Sequence, residues 1–226
     1  MMNAIILATG LGSRFKELSK KTHKALLKIQ GMANIERTIL YLREARINEI
    51  YIVVGHLKEQ FEYLKEKYDV KLIFNENYEK YNSIYSFYKI NEFFNDSFVI
   101  DCDVVLNENI FLQKQNFSTY YCILRNAKGE WYVKLEKNFI ISIDTSLSNG
   151  LALLGVSYFC MSDCLKIREN LKKFLKPIYL LNKKLYWDNI ILDMLSSLKI
   201  QAKEVKNCYE MDNLKEYKEI LKQCKK

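Results

Sequence analysis

Ala4-Ile5-Ile6-Leu7-Ala8-Thr9-Gly10-Leu11-Gly12-Ser13-Arg14 lies near the start of the chain, and Lys24, in Lys21-Thr22-His23-Lys24-Ala25-Leu26, follows ten residues beyond Arg14. The apolar run predicts a short buried strand that breaks into a glycine loop. Gly10 and Gly12 can take backbone angles closed to other residues and let a ligand approach the main chain. Backbone N–H groups in such a turn converge and attract anions. Arg14 adds a planar fork of donors suited to phosphate oxygens, and Lys24 a compact charge. A two-glycine turn alone is most simply a turn. With two cations behind it, the pattern points to a polyphosphate, and so to a nucleotide.

Two other phosphate-binding patterns do not fit. A dinucleotide fingerprint places a third glycine three residues after the second, and Phe15 stands there. A P-loop needs Gly-Lys-Ser/Thr after a four-residue gap, where this chain has Phe15-Lys16.

The 226 residues suffice for one sizeable α/β core, and no Ser/Gly linker, repeat or low-complexity tract divides 1–226. The formal net charge is +8, with lysines spread among glutamates and ending in the Lys225-Lys226 tail. No basic block forms, so a solvated surface explains the charge better than nucleic-acid binding, and such a field also draws in small anions. The six cysteines contain no Cys-x-x-Cys pair, and Cys102, Cys122 and Cys160 sit in apolar runs where a thiol serves as a small hydrophobe. With no signal peptide or membrane-length apolar run, the expectation is a reduced, cytoplasmic protein with no membrane partner.

Further on, strand and helix alternate. Strands are predicted over 3–9, 49–54, 70–74 and 97–101, and helices over 33–46, 57–67 and 83–94. That order argues a parallel sheet with helices on both faces and a ligand at the carboxyl ends of the strands. Short β-like runs at 119–124, 131–136 and 139–144 predict an antiparallel insertion or hairpin beside it. A strand at 153–160, helices at 162–174 and 186–198, a strand at 200–205 and a helix at 213–223 complete the reading.

The fourth strand ends in Asp101-Cys102-Asp103. Carboxylates two apart on a regular strand share a face. At the mouth of a core they need a partner, and a divalent cation bridging a phosphate is one; an aspartate turn is another. The only histidines, His23 and His56, follow no nucleophile motif, which argues against a Ser/His/Asp triad.

Leu7-Ala8-Thr9-Gly10-Leu11-Gly12-Ser13-Arg14 followed by His23-Lys24-Ala25-Leu26 resembles the signature of nucleotidyltransferases that make nucleoside-diphosphate sugars and alcohols. Val54-Gly55-His56-Leu57-Lys58-Glu59-Gln60-Phe61, Asn82-Ser83-Ile84-Tyr85-Ser86 and Tyr186-Trp187-Asp188-Asn189 resemble segments of the bacterial CTP:phosphocholine cytidylyltransferases. The resemblance implies a three-layer, Rossmann-like α/β fold with a mostly parallel central sheet and a small antiparallel insertion. It implies transfer of CMP from CTP to a small phosphorylated amine such as phosphocholine, with Mg²⁺ and release of pyrophosphate.

By the same resemblance, Leu7, Ala8, Thr9, Gly10, Leu11, Gly12 and Ser13 wrap the nucleotide, helped by Asn82, Ser83 and Asp101, while Arg14 and Lys24 grip phosphates during catalysis. Asp103 and Asp212 hold the metal; a helix N-cap is the plainer role for Asp212. Trp131, Tyr186, Trp187 and Glu210 form an aromatic and acidic pocket for an ammonium, with Asp188 nearby in sequence. Two positions depart from the family. Thr9 replaces Ala and places a hydroxyl near the nucleotide. His23 replaces Pro, which predicts a looser turn and an altered aim for Lys24. Phosphoethanolamine, 2-aminoethylphosphonate, L-glutamine phosphate and a sugar 1-phosphate remain alternative substrates. An inactive nucleotide-binding regulator remains an alternative role, and a homodimer is left open.

Overall fold

In the computed structural model, which describes residues 2–224, Asn3–Ala8 is the strand β1 inside a nine-stranded sheet. The Lys225-Lys226 tail lies outside the described residues. β1 runs parallel to Glu49–Val54 (β2), which Lys71–Phe74 (β3) extends in parallel, and on its other side to Ser97–Asp101 (β4). All six residues of β1 are buried, as the unbroken apolar run requires of a parallel strand covered on both faces. Ala4, Ile6 and Ala8 join a core with Ile35, Ile39 and Leu42 of helix α1 (Asn34–Glu44) and Leu64 of α2 (Tyr63–Tyr68). Ile5 and Leu7 point the other way, into a core with α3 (Ser83–Lys89), α4 (Met161–Phe174) and α5 (Asp188–Leu192). Alternation along one strand thus separates the two helical layers.

Past β4 the chain turns at Cys102 and Asp103 into Val104–Leu106 (β5). Thr119–Arg125 (β6), Tyr132–Glu136 (β7), Phe139–Asp144 (β8), Gly150–Phe159 (β9) and Gln201–Glu204 (β10) build the rest of the sheet. β9 lies antiparallel between β4 and β6, β10 runs parallel to β6, and β8 links β10 to β7. β7 then meets β9 again, with Tyr132 opposite Ala152. The sheet is therefore mixed. Its Rossmann-like parallel half is as expected, while the antiparallel strands continue the same sheet and curl back on themselves instead of standing beside it.

Several expected helices are shorter and end in tighter turns. The segment predicted at 57–67 is a 3₁₀ turn, Lys58–Phe61, followed by α2. That predicted at 186–198 is α5 followed by a 3₁₀ turn, Leu195–Ser197. A last strand, Cys208–Glu210 (β11), pairs antiparallel with β5, and helix α6 (Leu214–Gln223) follows it. Phe15, Leu27, Ile29, Val105, Met211 and Ile220 form a third, smaller core that fastens the glycine-loop region to β5 and α6.

β9 changes register between Leu153 and Val156, and Gly155 lies at this bulge with φ +78°. A Cβ there would approach Asp101 Oδ2 at 3.1 Å and Val104 Cγ2 at 3.2 Å. Glycine thus makes room for Asp101 at the end of β4. Gly155→Ala is expected to destabilise the protein by about 1–3 kcal/mol, from positive φ plus crowding, read as a lower denaturant midpoint at unchanged slope.

Candidate active site

A cleft of about 610 Å³ opens at the carboxyl ends of β1 and β4. Leu7, Thr9, Gly10, Arg14 and Lys24 line it from the opening stretch, Asp101 and Asp103 from the end of β4, and Glu210 and Asp212 from β11 and beyond. Ser83, Trp131, Tyr186 and Trp187 complete the expected residues that reach it. Ala8 is fully buried in the core, and Leu11, Gly12, Ser13 and Asn82 are not among the residues lining the cleft. A second cavity of about 460 Å³ between β6, β11 and α6 shares Glu210 and Glu216 with the cleft but neither Arg14 nor Lys24.

The two cations meet the two carboxylates read as metal ligands. Lys24 Nζ pairs with Asp103 Oδ2, with each side chain only 16% exposed. Burial alone would lower the Lys24 pKa, but the Asp103 carboxylate more than offsets it and raises the pKa overall. Arg14 Nη1 lies 2.8 Å from Asp212 Oδ2 in a more exposed pair. Met211 explains the placement of Asp212. Its side chain is fully buried and its N–H donates to the Asp103 carbonyl at 2.9 Å, so the chain around it is held beside Asp103. The cap of α6 is not Asp212 but Asn213, whose Oδ1 accepts from Lys215 and Glu216 N–H. Asp212 is thereby left to face Arg14.

The two departures in the loop are both tied down. The Thr9 hydroxyl shares a 2.8 Å hydrogen bond with Ser86 Oγ, to which Asn75 Nδ2 also donates. His23 does not loosen its turn. Its Nδ1 accepts the Ala25 N–H at 3.2 Å and caps the 3₁₀ turn Lys24–Leu26, while Nε2 lies 3.1 Å from the Gly10 carbonyl. Burial, with the Lys24 and His56 charges adding to it, pushes the His23 pKa down to about 3, so the ring is neutral and Nε2–H is the donor to Gly10.

The rest of the cleft lining is aromatic and acidic, though arranged otherwise than the sequence predicts. Trp187 is only 2% exposed, stacks on Phe87 at 5.3 Å, and donates its indole N–H to Asp101 Oδ1 at 3.3 Å. Its ring is core, and its N–H edge faces the cleft. Trp131 and the half-exposed Tyr186 meet edge to face at 6.1 Å and leave ring surface toward the opening. Glu210 is not a free acid, because Arg125 Nη2 pairs with it and Arg125 Nη1 lies 3.4 Å from Glu130. Asn82 is occupied structurally: it caps α3 and donates to the Tyr179 and Asn182 carbonyls at 2.8 Å.

Asp188 supplies what Glu210 does not. Tyr120 donates to Asp188 Oδ1 at 2.9 Å, and burial pushes the Asp188 pKa up to about 7 against that hydrogen bond. Asp101 is raised as well, by burial first and then by the Asp103 and Asp188 charges, with Lys24 and the Trp187 N–H opposing. The cleft wall thus carries two carboxyls with raised pKa, and a nearby cation would favour their ionised forms. Asp188 was visible in the Tyr-Trp-Asp-Asn segment; Tyr120 and Arg125 carried no sequence signal, since both sit in an ordinary β run.

Among the described residues no group of three or more His, Cys, Asp or Glu stands ready as a metal cage. Asp103 and Asp212 still fit Mg²⁺, which takes one or two hard carboxylate oxygens and completes its shell with phosphates and water.

Residues 4–115 match the family model of the MobA-like NTP transferase domain. The chain is 49% identical to the choline-phosphate cytidylyltransferase of Haemophilus influenzae over 97% of this chain and 96% of that one. It is 37% identical to the choline-phosphate cytidylyltransferase of Streptococcus pneumoniae, again over 97% and 96% of the two chains. A solved structure of the CTP:phosphocholine cytidylyltransferase from Streptococcus pneumoniae superposes with a TM-score of 0.93, at 36% identity and 98% coverage of both chains. The chain belongs to the bacterial CTP:phosphocholine cytidylyltransferase-like nucleotidyltransferases.

Proposed function

We propose that the cleft transfers CMP from CTP to phosphocholine and releases pyrophosphate. The observation that carries this reading is one continuous cleft lined by the Lys24–Asp103 and Arg14–Asp212 pairs together with Trp131, Tyr186, Asp101 and Asp188. The cations of the pairs suit phosphates, and the rings and the other carboxyls a quaternary ammonium, so one cleft can bring one substrate's phosphate to the other's α-phosphorus.

In the proposed reaction a phosphocholine phosphate oxygen attacks the α-phosphorus of CTP, and the bond to the β-phosphate oxygen breaks as pyrophosphate leaves. No residue needs to form a covalent intermediate; the protein positions the reactants and neutralises charge. When the nucleotide enters, Lys24 turns from Asp103 to the phosphates, and Arg14 turns from Asp212 to the departing pyrophosphate. Asp103 and Asp212, freed of those cations, are the residues that would hold Mg²⁺, which would supply Lewis-acid neutralisation of phosphate charge. The glycine loop offers its backbone N–H groups to the nucleotide. Trp131 and Tyr186 offer ring surface to the trimethylammonium, and Asp188 with Asp101 supplies the countercharge.

Among the described residues no helix is long and apolar enough to cross a membrane, and all six cysteines are free. We place the reaction in the cytoplasm, with neither membrane nor nucleic acid as partner. We read the chain as one domain over 1–226 that carries the residues named here.

Three outcomes test the reading. With CTP fixed, pyrophosphate release should show a higher kcat/KM for phosphocholine than for phosphoethanolamine, 2-aminoethylphosphonate or L-glutamine phosphate; a preference for a primary amine would overturn the ammonium assignment. Asp103→Ala should lower kcat on the order of 10³-fold and weaken Mg²⁺ binding in the presence of CTP, followed by calorimetry; retained activity would remove Asp103 from the metal site. The third is pH dependence. A carboxyl with pKa about 7 is mostly protonated below that pH, and a bound cation favours its ionised form. Affinity for phosphocholine should therefore improve about tenfold from pH 6 to pH 8, and Asp188→Asn should flatten the trend. Taking the ratio of the two proteins at each pH cancels the substrate's own phosphate ionisation, near pH ~6.

A further inference from the structure

The segment Gly55–Phe61 has no direct place in the proposed chemistry, yet its side chains converge on the return of the glycine loop. Gln60 Nε2 donates to the Lys21 carbonyl at 2.7 Å, and Gln60 Oε1 accepts the His23 N–H at 3.1 Å. His56 Nε2 lies 2.8 Å from the Ser19 carbonyl, which can only accept, so this nitrogen donates. Phe61, fully buried, presents its ring edge-on to His23 at 4.9 Å and 68°. The His23 ring is therefore fixed on its backbone side by Gln60 and on its flank by Phe61, and is itself only 1% exposed.

Held in this way, the ring has one nitrogen on each of two elements that must work together. Nε2–H holds the Gly10 carbonyl in the glycine loop, and Nδ1 holds the Ala25 N–H, one residue past Lys24. A proline at position 23 could make none of these bonds, because it has neither an N–H for Gln60 nor imidazole nitrogens. A rigid pyrrolidine would constrain only its own φ and the residue before it, whereas the imidazole spans thirteen residues of sequence between Gly10 and its own position.

We propose that His23 is a positioning residue that locks the glycine loop to the Lys24 turn, so that one ring, clamped by Gln60 and Phe61, sets both the placement of the loop and the aim of Lys24. This rests on Lys24 being a phosphate-directed cation, as read above. His23 touches no reacting atom; it acts through Lys24.

The test is a double-mutant cycle read in steady-state kinetics. His23→Phe fills the ring's space and removes both hydrogen bonds. It should lower kcat/KM for CTP by about 10- to 100-fold, because small misplacements of a catalytic group have effects of that size. KM for phosphocholine should stay within about twofold, since His23 touches none of the rings or carboxyls proposed to hold the ammonium. In a Lys24→Ala background the same change should cost less than about threefold, because the group it aims is gone. Equal losses in both backgrounds would overturn the proposal and leave His23 as a packing residue. A Lys24→Ala variant with wild-type kcat/KM would overturn the reading of Lys24 itself, and the proposal with it; that result is distinguishable because it needs no change at position 23. Should His23→Phe not fold, His23→Asn enters the same cycle. Asn can still accept the Ala25 N–H but falls short of Gly10, and it should show the same coupling to Lys24 with a smaller loss.

Discussion

Burial of the Asn3–Ala8 strand between two parallel neighbours sets the geometry of everything functional in this molecule. A strand hydrogen-bonded on both sides and covered on both faces can turn only at its end, and Ala8 is that end. The glycine loop therefore leaves the sheet beside Asp101, which terminates the next parallel strand, and Asp103, in the turn that follows it. β11, paired to β5 just past that point, brings Glu210 and Asp212 to the same rim through the burial of Met211. The site is the consequence of three chain segments ending at one edge.

At that edge, charge is arranged in pairs. A chain of net charge +8 gathers Asp101, Asp103, Asp188 and Asp212 in a single cleft with Arg14 and Lys24. Without ligands, the cations neutralise the two carboxylates that suit a metal. The more buried Lys24–Asp103 pair resists losing one partner, since a largely buried carboxylate left alone is costly. In the proposed reaction a metal ion and a polyphosphate arriving together would satisfy both sides at once, so the same four residues would serve the resting and the loaded protein. Burial raises the deeper carboxyls, Asp101 and Asp188, above the usual carboxylate range.

Much of this was legible in the sequence, for a physical reason. The apolar run, the two glycines, Arg14, Lys24 and the Asp-x-Asp are local patterns, and the strand–helix alternation is periodic, so each reads without knowing what lies across the core. The parts that were misread depend on neighbours far along the chain. Trp187 reads as an exposed cage wall but finds Phe87 and Phe159 above and beside it. Glu210 reads as a free acid but faces Arg125, 85 residues earlier. Asn82 reads as a nucleotide contact but is used up by a helix cap and two distant carbonyls. His23, in place of a stiff proline, reads as slack until Gly10, Ala25 and Gln60 close around it.

The sequence by itself determined the α/β architecture, the glycine loop and which carboxylates border it, because backbone preference and hydrophobic period act within a few residues. Only the tertiary structure decided which of those side chains remain available. A charge or a ring is available only if no distant residue has already satisfied it, and long-range packing sets that: it engages Glu210 and buries Trp187, and it leaves Asp188, Trp131 and Tyr186 at the cleft. The glycine loop was the plainest signal in the chain, and the imidazole that anchors its Gly10 carbonyl became visible only once the chain had folded back upon it.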